Sequence, residues 1–236
     1  KHSVIQHCPM SRIATILRRL EKVDCASLCD ADKSLGRNAI QVMSSSMIAR
    51  TPVVQKMIGV ARTVQLSEHD DFLAVLRGLH DAEEGEVLCV NTMGSTKAVA
   101  GGLFLSEAER KGLRGLIVDG AVRDISLMQQ SSIHCYSTTV NPYSGTIQSP
   151  GEMQNTILCG DAKISPGDIV VGDSDGVVSA SVEAIEDIIE MAETIVSKEN
   201  SLIQAMKEGE SLHSQTNYEE HIARIQNEKE SSFQLK

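Results

Sequence analysis

Arg123 and Asp124 are the adjacent residues best suited to chemistry in this sequence, because they closely follow the apolar run at 116–118. A buried strand there would deliver both side chains to its carboxyl end, which is where ligands bind in α/β sheets. The arginine could then bind a carboxylate through two N–H groups, and the aspartate could hold a hard cation. An ordinary surface ion pair is the alternative, and these two residues alone do not decide between them.

A second candidate is the sequence Ala100-Gly101-Gly102, which precedes a predicted helix. The backbone N–H groups of Gly102, Leu103 and Phe104 would point outward from the start of that helix, and the missing side chains would let an anion approach closely. The alternative is a tight turn, which is the commoner role of paired glycines.

Two other polar clusters carry weaker signals. Cys25 and Cys29 are four residues apart, so a helix would bring them together as a metal or redox pair. No histidine or second cysteine pair supports that role. Asp173 and Asp175 resemble a calcium loop, but Ala184 stands where the required glutamate would be, which favours a simple hairpin turn.

Apolar periodicity predicts the elements that must carry these residues. Ser11 is placed to cap the first helix, and Gly112 to end a later one. The elements predicted up to residue 136 are helices at 11–20, 25–31, 72–79 and 103–111, and strands at 58–66, 87–90, 116–118 and 133–136.

The C-terminal half contains a predicted hairpin and a long helix. Turn residues at 173–176 separate the apolar strands 169–171 and 177–180, which is typical of a β-hairpin. A helix is predicted over 182–207, and Gly209 follows it at the position where helices commonly stop.

The order of these elements predicts an α/β domain at residues 1–210 and a polar C-terminal extension at 211–236. Strands and helices intermix without strict alternation, so the sheet should be mixed. The extension should be either an exposed helix or a tail.

Composition restricts the classes of function. The chain has 236 residues, of which 41% are hydrophobic and 3% aromatic, and its formal net charge is -10. An acidic chain with few aromatic rings argues against nucleic acid or an anionic membrane as the main partner. No apolar stretch approaches the length of a membrane span, and residues 1–11 show no signal peptide, so we expect a cytoplasmic protein.

Four segments together resemble the RraA-like family, which includes the regulator of ribonuclease activity A and the 4-hydroxy-4-methyl-2-oxoglutarate aldolases. The resemblance covers roughly residues 12–210, in the right order. The segments are GVARTV at 59–64, GEVLCV at 85–90, KGLRGLIVDGAVRD at 111–124 and PGDIVVGDSDGV at 166–177.

The resemblance implies a compact α/β/β/α swivelling-type domain with N-terminal helices and a long C-terminal helix. It also implies a homotrimer, or a dimer of trimers, with sites between subunits. In the aldolase branch the aspartate matching Asp124 holds a divalent metal, usually Mg²⁺ and alternatively Mn²⁺. The arginine matching Arg123 binds the pyruvyl part of the substrate, and N–H groups at Gly102, Leu103 and Phe104 receive its carboxylate.

Two positions matter for the reaction that this resemblance implies. Aldolases of the family have an aspartate that is thought to position a water for proton transfer, and Gly102 stands in its place here. A glutamate late in the family's C-terminal helix reaches the neighbouring subunit's site, and Glu199 is the candidate here. By spacing alone, Glu199 falls within an apolar stripe, where it is either paired in a polar site or at the point where the stripe reaches solvent.

We therefore expect a metal-dependent lyase that acts on a small 2-oxo acid. Aldol cleavage needs a base for the 4-hydroxyl proton, whereas oxaloacetate decarboxylation does not, so Gly102 favours decarboxylation. The main alternative is a non-catalytic trimeric regulator that binds another protein, as the ribonuclease regulator does. A metabolite-binding module without turnover is the third hypothesis.

Overall fold

A computed structural model describes residues 9–235, so most of the N-terminal stretch considered for a signal peptide lies outside the described residues. The helices are α1 (Pro9–Leu20), α2 (Cys25–Ser34), α3 (Leu73–Asp81), α4 (Gly102–Arg110), α5 (Ile125–Met128), α6 (Val182–Lys207) and α7 (Tyr218–Gln226). The strands are β1 (Gln41–Val42), β2 (Ile48–Ala49), β3 (Met57–Gln65), β4 (Glu86–Asn91), β5 (Ala98–Ala100), β6 (Gly115–Val122), β7 (His134–Val140), β8 (Glu152–Met153), β9 (Ile157–Cys159), β10 (Ala162–Ile164), β11 (Ile169–Gly172) and β12 (Val177–Ala180).

The periodicity predicted the long elements well but several boundaries wrongly, since the helix predicted at 25–31 continues to Ser34 and the strand predicted at 133–136 continues to Val140. Helix α1 begins at Pro9, so Ser11 lies within the helix and not at the position before it. Strand β6 continues past the predicted end at residue 118 to Val122, because the polar Asp119 and Gly120 stay in the strand conformation. The predicted helix over 182–207 is confirmed as α6.

The main sheet has ten strands and is mixed, as predicted. Its central strands β3, β4, β6 and β7 are parallel neighbours, and β5 pairs in parallel with the end of β6. The hairpin of β11 and β12 joins antiparallel to β3 and extends the sheet on one side. The four parallel strands therefore bring their carboxyl ends to one edge, which also carries the start of α4.

Alternating side chains of the central strands pack into two separate cores. Leu88 and Val90 of β4 lie in a cluster with Leu105 of α4 and Leu79 of α3. Val87 and Cys89 point the other way, into a cluster with the two-stranded sheet of β9 and β10. Burial on both faces explains why β4 is apolar throughout, and the sheet is covered by helices on one face and strands on the other.

The chain divides into two compact units, the first ending at Ala192 and the second covering Glu193–Lys236. In the second unit the polar extension forms α7, none of whose residues is buried. Asn217 anchors the segment that follows α7, because its N–H donates to Gln234 O at 3.1 Å and its side-chain Nδ2 donates to Ser232 O at 2.9 Å. Among residues 9–235, no helix combines the length and apolarity that crossing a membrane requires.

Candidate active site

Strand β6 places Arg123 and Asp124 at the carboxyl edge of the sheet. Residues 116–118 of this strand are fully buried, which holds the strand firmly in the core. The pairing with β5 extends one residue beyond the strand, since Arg123 N–H donates to Ala100 O at 3.1 Å. Asp124 then takes a left-handed backbone conformation (φ 63°, ψ 39°), and α5 begins directly after it. This turn directs the two charged side chains to the start of α4.

The start of α4 is built from glycines because its backbone must approach these side chains. Gly101 is the N-cap of the helix. A Cβ at Gly101 would lie 2.6 Å from Asp124 Oδ2 and 3.1 Å from Arg123 Cγ, so any larger residue would displace the pair. The close approach lets Gly102 N–H donate to Asp124 Oδ2 at 3.1 Å. The paired glycines therefore do more than allow a tight turn.

Arg123 and Asp124 remain accessible to a ligand. The distance between Arg123 Nε and Asp124 Oδ2 is 3.7 Å, and the two side chains are 41% and 44% exposed. At that separation and exposure the attraction between the two charges is weak, so each side chain can still interact with a ligand.

A small pocket opens beside this pair. Its volume is about 40 Å³, which is room for roughly three water-sized groups and suits a carboxylate with its neighbouring carbonyl. Leu103 lies at the mouth, because it lines the pocket and is 78% exposed. The rings of Phe72 and Phe104 meet edge to face at 5.9 Å between centroids. The residues lining the pocket are Phe72, Ala98, Val99, Ala100, Gly101, Leu103, Phe104, Arg123, Asp124 and Ser144.

Comparison with known proteins gives the family. A model of the RraA-like family, described as Aldolase/RraA, matches residues 25–179. A protein of Halalkalibacterium halodurans, provisionally named 4-hydroxy-4-methyl-2-oxoglutarate aldolase, is 36% identical over 140 residues, which cover 58% of this chain and 65% of that protein, just under two thirds of its length. An uncharacterized protein of Methanocaldococcus jannaschii is 31% identical over 169 residues, which cover 70% of this chain and 80% of that protein. The chain belongs to the RraA-like family.

Solved structures agree with this assignment. An uncharacterized protein of Pseudomonas syringae superimposes with a TM-score of 0.74 at 23% identity, covering 85% of this chain and 96% of that one. A protein of Streptomyces coelicolor, described as an unusual member of the RNase ES inhibitor RraA family, superimposes with a TM-score of 0.69 at 27% identity, covering 79% and 94%. The predicted fold is thereby confirmed as that of RraA-like proteins.

The donor set of this RraA-like chain fits a divalent cation that binds through one carboxylate. Within residues 9–235, both polar contacts of Asp124 use Oδ2, which leaves Oδ1 available beside the pocket. No group of three or more histidine, cysteine, aspartate or glutamate side chains in the described chain is arranged as a metal site. Mg²⁺ suits this arrangement, since it keeps several waters and takes one or two protein carboxylates.

The space beside Gly102, where the aldolases of the family are expected to have an aspartate, is not vacant in this chain. A Cβ there would lie 2.3 Å from Leu127 Cδ2 and 2.8 Å from Leu127 Cγ. The direction that a side chain would take at Gly102 is therefore filled by the leucine of α5. The family resemblance predicted a missing aspartate at this position, and the structure adds the residue that lies in its space.

Glu199 lies on α6 in the second unit and is exposed. The apolar stripe that contains it is buried at Ile185 and Ile189, but Ile203 and Met206 beyond Glu199 are 46% and 38% exposed. In this chain, Glu199 therefore falls in the part of the stripe that faces solvent. Its role in a neighbouring subunit's site stays a prediction.

The cysteine pair of α2 is explained by structure alone. Cys25 is a free thiol whose Sγ lies 3.5 Å from Val171 O and 3.7 Å from Gly176 O. Burial raises the pKa of Cys25, with the carboxylate of Asp173 adding to the effect, and burial also raises that of Cys29. Protonated thiols are poor metal ligands and poor nucleophiles, so this alternative is not supported.

Sequence reasoning missed four contributors to the pocket, which are Phe72, Ala98, Val99 and Ser144. Phe72 was assigned only to the apolar face of α3, and Ser144 lies in a loop without periodicity. A neighbouring signal was present in Asp70 and Asp71, because paired acidic residues before a helix are typical of capping and loop anchoring.

Proposed function

We propose that this chain is a divalent-metal-dependent lyase that cleaves a carbon–carbon bond in a small 2-oxo acid. The observation that carries the proposal is the convergence of Arg123, Asp124 and the first turn of α4 on one pocket. Binding a 2-oxo acid together with a metal ion requires a positively charged side chain, a carboxylate and free backbone N–H groups, and these three elements provide them.

The first turn of α4 and Arg123 would bind the acid. The first N–H groups of a helix have no acceptor within it, and in α4 the regular pattern begins with Leu105 N–H donating to Gly101 O at 3.1 Å. The N–H groups of Leu103 and Phe104 can therefore receive the substrate carboxylate. Arg123 would place its planar guanidinium on the 2-oxo group and stabilise the negative charge that develops there.

Asp124 would hold the metal through its carboxylate. When bound there, a divalent cation supplies Lewis-acid polarisation of the substrate's oxygens. Gly102 N–H orients the carboxylate by donating to Oδ2, so that Oδ1 can face the ion. The contact between Gly102 and Asp124 thus links the acid-binding turn to the metal ligand.

Decarboxylation of oxaloacetate fits this pocket better than aldol cleavage. The C3–C4 bond breaks, its electron pair forms the enolate of pyruvate, CO₂ leaves, and a proton from water then adds to C3. Apart from Arg123, Asp124 and Ser144, the described lining is apolar, which disfavours a charged leaving carboxylate and favours its loss as neutral CO₂. Aldol cleavage would need a base, and Leu127 fills the space of the candidate position.

The test is Mg²⁺-dependent release of pyruvate from oxaloacetate. Since Mg²⁺ alone catalyses this reaction slowly, the control is the same buffer with Mg²⁺ and an Asp124→Asn variant. We expect the wild-type protein to exceed that control clearly and to lose the excess rate with EDTA. A wild-type rate equal to the variant's would contradict the proposal.

A non-catalytic regulator is the second candidate function. Its support is the likeness to a protein described as belonging to an RNase ES inhibitor family. For either function we expect a homotrimer, or a dimer of trimers, with Glu199 contributing to a neighbour's site. Light scattering gives the assembly, and inhibition of a purified ribonuclease of that class by a protein without lyase activity would favour the regulator.

A further inference from the structure

Asp70, just before α3, holds the loop that leads into β5. Its Oδ1 accepts hydrogen bonds from Ser95 Oγ at 2.6 Å and from the N–H groups of Thr96 and Lys97, both at 3.0 Å. Its Oδ2 lies 3.5 Å from Lys97 Nζ. One carboxylate therefore fixes three consecutive residues immediately before the strand that delivers Gly101.

Asp71 holds a different loop, the one after β7. Its carboxylate is buried, with the residue 2% exposed, and Oδ2 accepts from Thr146 Oγ1 at 2.8 Å and from Gln148 N–H. Its Oδ1 accepts from Leu73 N–H at 3.0 Å, which ties the same residue to the start of α3. The two adjacent aspartates thus connect α3 to two loops that are about fifty residues apart in the chain.

These two loops meet at the pocket. Ala98 N–H donates to Tyr143 O at 2.8 Å, and Gly145 N–H donates to Ala98 O at 3.2 Å. The residue between those two contacts is Ser144, which lines the pocket together with Ala98. The position of Ser144 therefore depends on hydrogen bonds that Asp70 and Asp71 organise from outside the pocket.

Ser144 is the remaining polar side chain of the pocket. Of the ten described residues that line it, only Arg123, Asp124 and Ser144 have polar side chains. The proposed function uses the first two for charge and metal. Because Ser144 lines a pocket of only about 40 Å³, its hydroxyl could contact a group that binds there.

We propose that Ser144 is a third binding residue for the 2-oxo acid, and that Asp70 and Asp71 are positioning residues that hold it. The inference rests on the proposed function and names a further contact of the same site. Asp70 and Asp71 act through the loops at 95–97 and 144–148, and they do not line the pocket themselves.

The experiment is a double-mutant cycle of Ser144→Ala and Asp71→Asn, in which the Kd for pyruvate is measured in the presence of Mg²⁺. We expect Ser144→Ala and Asp71→Asn each to raise the Kd for pyruvate by roughly three- to tenfold, the range of one lost hydrogen bond. If Asp71 acts through Ser144, the double variant should bind no more weakly than the weaker single variant, because the two changes remove the same contact.

Asp32→Asn is the matched control. Asp32 is 7% exposed and accepts hydrogen bonds from the backbone of Ala39 and Ile40, so it also anchors a loop, but that loop does not line the pocket. We expect this variant to keep the wild-type Kd. Thr146→Val, which removes one donor to Asp71, repeats the test if Asp71→Asn does not fold.

Several outcomes would overturn the inference. An unchanged Kd in Ser144→Ala would exclude the contact, and additive losses in the double variant would exclude positioning through it. A loss in Asp32→Asn as large as in Asp71→Asn would show a general effect on stability. Failure of wild-type protein to bind pyruvate or release it from oxaloacetate would instead overturn the proposed function.

Discussion

Two helices of this chain begin with the same interaction and end up with different surroundings. At α2, the N–H of Cys25, its first residue, donates to Asp173 Oδ2 at 2.8 Å. At α4, the N–H of Gly102, its first residue, donates to Asp124 Oδ2 at 3.1 Å. Each aspartate comes directly or almost directly after a sheet strand, so the local geometry is similar.

The start of α2 is closed. Asp24 caps the helix by accepting from Ser27 N–H at 2.7 Å. Asp173 is 9% exposed and its second oxygen accepts from Asp175 N–H at 3.0 Å, within the hairpin turn. Both of its oxygens are used, and the carboxylate serves the fold.

The start of α4 is open. Its N-cap residue is Gly101, which has no side chain that could cap the helix. The side chain of Asp124 is 44% exposed beside Arg123. The difference teaches that an aspartate at a helix start is available for ligands only when its second oxygen and the next N–H groups lack partners from the protein. The first four of the five predictions below test that distinction, beginning with the largest effect.

Asp124→Asn should abolish most Mg²⁺-dependent pyruvate release, by roughly 100-fold or more, because a neutral amide is a poor ligand for a hard cation. Asparagine is preferable to alanine here, since it tolerates the left-handed conformation of residue 124. Turnover and thermal unfolding are measured together. The core is untouched, so the melting temperature should stay near that of the wild type.

Asp173→Asn is the counterpart at α2. It should lower the free energy of unfolding by about 1–3 kcal/mol, because a buried hydrogen bond is lost, and leave turnover per folded protein unchanged. If Asp173→Asn lost activity and Asp124→Asn kept it, the distinction between the two helix starts would be wrong.

Arg123→Lys should be nearly as damaging as Arg123→Ala, with each losing roughly 100-fold or more in kcat/KM. An ammonium group cannot reproduce the planar contact of a guanidinium with the 2-oxo group and the negative charge that develops there. Arg50→Lys is a matched control, since Arg50 Nε donates to Ser137 Oγ at 2.7 Å outside the pocket. Near wild-type kinetics in Arg123→Lys would show that a point charge is sufficient.

Gly102→Asp tests whether a base can be added at the open helix start. Alone, it should destabilise the protein by about 1–3 kcal/mol, because its Cβ would overlap Leu127. Combined with Leu127→Ala, it should raise the kcat ratio of 4-hydroxy-2-oxo acid cleavage to oxaloacetate decarboxylation by at least about tenfold.

The ratio is compared with that of Leu127→Ala alone, at saturating substrate, so that changes in affinity do not enter. An unchanged ratio in a folded double variant would mean that Gly102 is not the vacant base position, and Glu199 would be the next residue to change.

The smallest effect concerns acid stability around α3. Hydrogen bonds from Ser95 and the backbone of Lys97 lower the pKa of Asp70. At Asp71, burial acts to raise the pKa. Hydrogen bonds from Gln148, Leu73 and Thr146 outweigh the effect of burial, so the pKa of Asp71 is also lowered. A lowered folded pKa means that the stabilisation is complete above the ordinary value of 3.8 and is lost as the pH falls below it.

Unfolding by denaturant is therefore measured between neutral pH and pH 3 for the wild type and Asp71→Asn. Their difference in unfolding free energy should be constant at neutral pH and shrink below about pH 4. A difference independent of pH would show that the charge of Asp71 does not matter to the loop it holds.

Much of the fold, and the main residues of the candidate site, could be predicted from local pattern. The limits of α6 and the hairpin of β11 and β12 follow from side-chain period and turn residues, which act within a few positions of the chain. Arg123 and Asp124 were identified because they follow an apolar strand, and the glycines at 101 and 102 because they precede a helix. These are statements about neighbours in sequence.

The relation between those neighbours was decided by tertiary structure. A Cβ at Gly101 would lie 2.6 Å from Asp124 Oδ2, so this position requires glycine. That requirement depends on the pairing of β5 with β6. Leu127 fills the space beside Gly102, and Asp70 and Asp71 hold loops that reach Ser144. Both arrangements depend on packing between distant segments. Such contacts form only when the whole sheet and its helices assemble, because no local preference of these residues selects one distant partner over another.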